Sequence, residues 1–246
     1  MLAVTTKGPG RQGTAGTAIA ASTSQADVLA ALKLAAEAYD FTYVTLLMKP
    51  IETDDLLARV LIQSTLPSEF VREFDQQRFL PRCPSTPALF ATLLPQAWTL
   101  DTFEADCGIP LPRDIARLMR DFGLATTAAM PLHSLEGDRF LLRFDGRREA
   151  VEQGELNELA MIALHAFDVF EKLRRSERFA LPSPLSTREL EVVRWTAQGK
   201  TSVEIGRILS LSDHTINAHM TNAIKKLDCV NRTQLVAKAI RLGLIN

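Results

Sequence analysis

Apolar residues recur at helical spacing through the last quarter of the chain, Leu185 to Asn246, and polar residues mark where each helix begins. Ser186 and Glu189 form a capping box, in which hydroxyl and carboxylate satisfy each other's orphan backbone N–H groups, with Leu185 and Leu190 at staple positions. Thr201 and Glu204 repeat the box and predict a second helix from Ser202 to Leu209. Ser212 caps a third helix with Leu211 and Ile216 as its staple, and Asn231 with Gln234, Val230 and Leu235 starts a fourth. Gly243 stands where a left-handed residue ends it. On the third helix Ile216, Met220, Ala223, Ile224 and Leu227 share one side. The opposite side carries His214, Ala218, Thr221, Asn222 and Lys225, flanked by Thr215, Asn217 and Lys226. Small and hydrogen-bonding groups with lysines at one end suit a major groove: amides and hydroxyls for base edges, lysines for phosphates. An ordinary solvated helix face is the alternative. The short turn Ser210-Leu211-Ser212 sets the second helix across the third, as in a helix-turn-helix.

Upstream the pattern is mixed. Val28, Leu29, Leu32, Leu34 and Ala35 predict a helix from about Ser24 to Asp40. Phe41–Met48 and Leu56–Ser64 read as strands around an acidic turn, and Pro67 starts a helix to about Asp75. Phe79–Trp98 contains four prolines and reads as loop and short turns. Pro112 opens a helix ended by Phe122-Gly123. Two strands follow, Thr126–His133 and Arg139–Asp145, and then a long helix over about Ala150–Phe179. This order gives an α+β fold class: an N-terminal α-β-α sandwich with an antiparallel sheet, PAS- or GAF-like, plus a C-terminal all-α four-helix helix-turn-helix domain. Residues 1–23, rich in Gly, Ala, Thr and Ser, read as a disordered leader; 24–180 as a sensor-like domain; 181–184, with two prolines, as a stiff linker; and 185–246 as the helical domain.

Composition changes this picture little. The chain is 46% hydrophobic and 23% charged, with a net charge of −1. The charge is uneven: from Leu185 onward nine Lys/Arg stand against five Asp/Glu, and the remainder has 19 against 24, so a basic module follows an acidic body. Three widely spaced cysteines, Cys83, Cys107 and Cys229, read as reduced thiols of a cytoplasmic protein, with no metal-ligand spacing. No apolar run is long enough to span a bilayer, and no phosphate loop, nucleophile elbow or HExxH points to an enzyme.

The run from Leu185 to Ile245 resembles the DNA-binding domain of LuxR/NarL-type regulators. The resemblance is carried by Thr187, Arg188, Glu189, Glu191, Gly199, Lys200, Glu204, Ile205, Leu209, Thr215, His219, Lys226, Leu227, Asn231, Arg232, Ala237 and Gly243-Leu244-Ile245. It implies base reading by Asn217, Ala218 and Thr221, with Asn222 on the same face, and phosphate holding by Lys200, Thr215, Lys225 and Lys226. Asn217 stands where many members carry a lysine, which implies weaker salt-dependent affinity or another base preference.

From about Ser24 to Phe170 the element order is similar to the autoinducer-binding domain of quorum-sensing LuxR-type regulators, which take N-acyl-homoserine lactones. That family marks its pocket with a tryptophan, a tyrosine four residues on, an Asp-Pro pair and a second tryptophan. Here Phe70, Phe74 and Cys83-Pro84 occupy the first three places, Trp98 is retained, and Thr127 stands where a glycine is usual. In the family the aspartate accepts the ligand amide N–H and the tryptophan donates to the lactone carbonyl; Cys83 is a weak acceptor and Phe70 no donor. Two lost contacts weaken lactone binding by about 10²–10⁴-fold. Three readings of Phe70, Phe74, Cys83, Trp98 and Thr127 stay open: a filled apolar core, a pocket for another small apolar molecule, and ordinary lactone sensing.

The resemblance implies a sequence-specific transcription regulator without a resident cofactor, a homodimer on an inverted repeat of double-stranded DNA, with ligand dependence lost or altered. A conventional lactone-dependent activator is one alternative. An antiactivator that forms inactive heterodimers with a lactone-binding relative is the other. Leu235, Val236, Ala239, Ile240 and Leu242 of the fourth helix are the expected dimer surface of the DNA-binding domain.

Overall fold

The computed structural model describes residues 11–180 and 183–245. The chain divides into two compact units, Met1–Arg175 and Ser176–Asn246.

The first unit begins with α1 (Arg11–Ala20) and α2 (Gln25–Ala38). A disordered leader over residues 1–23 was expected from composition, and α1 corrects this for its own span; residues 1–10 lie outside the described residues. Ala15 and Ile19, one helical turn apart, are buried in the same core as α2. Those two side chains supply the apolar contact, and the small residues between them let the helices approach; bulk composition hides this spacing. Ser24 caps α2 in a capping box with Asp27.

Next come β1 (Tyr43–Met48), α3 (Leu57–Val60), β2 (Leu61–Ser64) and α4 (Ser68–Gln76). Leu56–Ser64 is therefore strand only in its second half. The carboxylate of Asp75 accepts the N–H groups of Leu57 at 2.5 Å and Ala58 at 3.2 Å, which holds the first half in a helical turn with Leu57 and Val60 both buried. The proline-rich stretch holds a 3₁₀ turn (Leu80–Arg82), α5 (Ser85–Leu89) and an unexpected edge strand, β3 (Gln96–Thr99), too short to show a period. Then follow α6 (Phe103–Cys107), α7 (Arg113–Asp121), β4 (Thr126–His133), β5 (Arg139–Gly146) and the long α8 (Gln153–Ala180), which runs across the boundary between the units at Arg175.

The five strands form one antiparallel sheet in the order β2-β1-β5-β4-β3. Both faces are covered, so the inner strands read as apolar runs instead of alternating. One face carries Val44, Leu46, Ala128, Met130, Leu132, Phe140, Leu142 and Phe144, packed on Val28, Leu32 and Ala35 of α2 and on Leu159, Ile162, Ala166 and Phe170 of α8. The other face lies under the α4–α7 layer, with Phe70, Phe74, Ile115 and Met119 in one cluster and Leu47, Leu141 and Trp98 in a neighbouring one.

The second unit has α9 (Thr187–Ala197), α10 (Ser202–Leu209), α11 (Asp213–Lys226) and α12 (Arg232–Arg241). The expected caps are present. Ser186 and Glu189, and Thr201 and Glu204, close reciprocal boxes; Ser212 accepts from the Thr215 N–H and Asn231 from the Gln234 N–H. Val192, Val193, Ile205, Ile216, Met220, Leu235 and Ala239 form the core. Leu235 and Ala239 are thus spent on their own unit, which removes them from the expected dimer surface and leaves Ile240 and Leu242 exposed on it.

Candidate nucleic-acid interface and ligand cavity

The turn between α10 and α11 depends on one glycine. Gly206 accepts the Leu211 N–H at 2.8 Å, and a Cβ on Gly206 would lie 2.6 Å from the Leu211 carbonyl oxygen. Ser210 ends α10 in the left-handed region, and the chain turns directly into the Ser212 cap. Only a residue without a side chain lets the loop approach this closely.

With Ile216, Met220, Ala223 and Leu227 buried, α11 presents Asn217, Ala218, Thr221, Asn222 and Lys225 on its exposed side. The five fall on two adjacent rows, 217-221-225 and 218-222, spaced one helical turn apart. Their hydrogen bonding decides what each offers. Asn217 Oδ1 accepts from the Ser202 hydroxyl at 2.7 Å, which ties α11 to the start of α10 and turns the amide N–H₂ outward. Thr221 donates its hydroxyl to the Asn217 carbonyl at 2.9 Å, so its outward chemistry is a lone pair and a methyl group. Ala218 offers a methyl, and Asn222 an amide.

The expected phosphate-holding residues separate into two groups. Lys225 is exposed in the last turn of α11. Lys226 instead places its ammonium 2.8 Å from Glu189 Oε2, and Glu189 is only 4% exposed. Burial pushes the Glu189 carboxyl up, but the Lys226 ammonium together with the Ser186 N–H and hydroxyl outweighs it and holds the group below the usual glutamate range. In the free protein Lys226 therefore locks α11 to the start of α9. Lys200 is half-buried, with its carbonyl accepting from the Arg232 guanidinium; Thr215 is half-buried and shares a hydrogen bond of 2.8 Å with Ser212.

In the first unit a cavity of about 40 Å³ lies between the sheet and the α4–α7 layer. Phe70, Phe74 and Cys83 line it, together with Leu66, Leu80, Met119 and Leu124, and Thr45, Leu47, Leu141, Arg143 and Asp145 rise from the strands. The Phe70 and Phe74 rings pack at 5.7 Å, and Cys83 Sγ lies 3.1 Å from the Ser85 hydroxyl. Trp98 and Thr127, expected with them, stand outside this lining. Trp98 packs edge-on against Phe103 at 5.7 Å in the neighbouring cluster, and Thr127 lies between Trp98 and Asp145 in the sheet register.

Thr127, which stands where a glycine is usual, donates its hydroxyl to Asp145 Oδ1 at 2.7 Å. Arg143 Nη2 meets the same oxygen at 2.6 Å. Sequence reasoning passed over Arg143 and Asp145, although a signal was there. In RFLLRFDG the residues Phe140, Leu142 and Phe144 fill one face, so Leu141, Arg143 and Asp145 must share the other, and both faces are buried.

No helix among the described residues is long and apolar enough to cross a membrane, and no group of His, Cys, Asp and Glu among them could hold a metal ion. All three cysteines are free thiols.

One unit is a capped helix-turn-helix with an exposed polar face on its third helix, and the other is an α/β fold with an internal cavity, the makeup of a DNA-binding regulator with a ligand-binding type of domain. The family model for bacterial regulatory proteins of the luxR family matches residues 183–239, and the model for the autoinducer binding domain matches residues 24–170. The chain belongs to the LuxR family of DNA-binding transcription regulators. It is similar to transcriptional activator protein BjaR1 of Bradyrhizobium diazoefficiens, 27% identical over 221 residues that cover 89% of this chain and 90% of the relative. It is also 30% identical over 154 residues to RpaR of Rhodopseudomonas palustris, an HTH-type quorum sensing-dependent transcriptional regulator, over 63% of this chain and 62% of that one. These relatives are transcriptional regulators, not enzymes. Among solved structures, Escherichia coli SdiA shares the fold, with a TM-score of 0.68 at 23% identity over 95% of this chain and 97% of that one. SdiA in complex with octanoyl-rac-glycerol gives a TM-score of 0.66 at 22% identity over 96% of each chain.

Proposed function

We propose that this regulator works as a homodimer on an inverted-repeat operator, reading bases with Asn217, Ala218, Thr221 and Asn222 and holding phosphate with Lys225. The observation that carries the reading is the exposed side of α11, whose every outward group is small or hydrogen-bonding. One helix-turn-helix covers a single half-site, so a two-fold dimer matches a palindromic site. Exposed Ile240 and Leu242 on α12 are apolar material for that contact. The intact recognition face favours direct DNA binding over the antiactivator role. Relatives described as activators favour activation of transcription.

For the first unit we propose a small-molecule sensor with altered ligand chemistry. Phe70 and Cys83 lack the groups that hold a lactone in relatives, whereas a polar pair lies on the sheet side of the same cavity. Footprinting and analytical ultracentrifugation on a selected operator test the DNA reading. Two chains per site with protection of two half-sites are expected; a single chain on an asymmetric site would overturn the dimer.

A further inference from the structure

The apolar walls of the cavity leave its floor unexplained. Arg143 and Asp145 project from alternate positions of β5, and Asp145 Oδ1 takes up both Arg143 Nη2 and the Thr127 hydroxyl. One buried polar atom is left over. Arg143 Nε has no hydrogen-bond partner, and beside it the side-chain hydrogen bonds that Asp145 accepts fall on Oδ1, which leaves Oδ2 as the oxygen open to a further donor. Both side chains line the cavity beneath Phe70, Phe74 and Met119. Buried donors are rarely left unmatched, and an acceptor is missing here.

We infer that Arg143 and Asp145 anchor the head group of a neutral small molecule with an apolar tail. Its head presents an oxygen to Arg143 Nε–H and an N–H or O–H to Asp145 Oδ2, as a carboxamide does. The ion pair carries no net charge, so a neutral head enters without burying an excess charge, whereas a carboxylate would set a second anion beside Asp145. An ester supplies the oxygen but no proton. The tail lies among Phe70, Phe74, Met119 and Leu141, which fits the absence of polar groups there. The polar groups absent at Phe70 and Cys83 thus reappear on the opposite wall, and the specificity of the pocket moves with them. The small cavity volume favours short tails. This inference rests on the sensor reading of the first unit and on nothing in the second.

The test uses the full-length protein at pH 7 and calorimetric titration with butanamide, hexanamide and octanamide, their methyl ester and carboxylate counterparts, and N-octanoyl-homoserine lactone. Amides are expected to bind at least about tenfold more tightly than the matched esters and carboxylates. In Asp145→Asn the discrimination against carboxylates should shrink, because the anion they oppose is gone. If that variant does not fold, the wild-type series alone decides. Equal binding of amide, ester and carboxylate overturns the anchor. Lactone binding with no amide binding overturns the anchor but leaves a sensor; no binding by any compound overturns both.

Discussion

In the C-terminal unit the buried carboxylate belongs to a helix start: Glu189 closes the box on Ser186 and then takes Lys226 from 37 residues away. In the N-terminal unit the buried carboxylate, Asp145, belongs to a cavity wall, and its partners arrive from its own strand and from the neighbouring β4. Among the described residues the first pair leaves no buried polar atom without a hydrogen-bond partner, while the second leaves Arg143 Nε without an acceptor. The difference teaches where to look for ligand chemistry. A buried carboxylate held by an ion pair with no buried atom left unmatched is architecture; an ion pair left with an open buried donor beside a cavity is a place for a guest.

The strongest way to break the comparison is Gly206→Val. A side chain 2.6 Å from the Leu211 carbonyl forces the turn open, with an expected loss of about 3 kcal/mol or more in the second unit and no specific DNA binding. Circular dichroism and thermal unfolding should show the first unit still folded. Ile19→Ala is next, at about 2–5 kcal/mol from the first unit, because Ile19 is 0% exposed in the core that joins α1 to α2. Denaturant unfolding that matches wild type would return α1 to the status of a passive leader.

Glu189→Gln sharpens the contrast at about 1–2 kcal/mol, discounted because Lys226 is nearly half exposed. The sign follows from the lowered carboxyl: its contribution is complete above the ordinary glutamate range and disappears as pH falls through the lowered value. The gap in thermal stability between wild type and variant should therefore be constant at neutral pH and close on acidification. A gap that widens in acid would contradict the direction of the shift.

The smallest effect concerns the two lysines. Lys225→Ala should weaken every DNA site alike and lower the salt slope of binding by about one. Lys226→Ala should chiefly lower the stability of the second unit, since its ammonium is already on Glu189. Salt titrations of operator affinity beside unfolding curves separate the two, and identical behaviour would dissolve the distinction.

How much of this was legible follows the same division. Helix starts are written in three or four consecutive residues, so Ser186-Glu189, Thr201-Glu204 and the Asn231 cap could be read directly, as could the buried stripe of α11. Interactions across large separations could not. The Lys226–Glu189 tie, the capping of Leu57 by Asp75 and the meeting of Thr127 with Asp145 each join residues that no local pattern links. The sensor fold was readable from the order of its elements, but its cavity floor was not. α1 was hidden because two apolar side chains, Ala15 and Ile19, supply contacts that averaged composition dilutes.

The central claim is that the exposed side of α11 reads the duplex. Affinities of wild type and Thr221→Ala for every single-base variant of a selected operator test it most directly. The account predicts a changed preference confined to one base pair in each half-site, about 1–3 kcal/mol in discrimination, with the other positions unaltered. An unchanged profile, or a uniform loss across all positions, would contradict it.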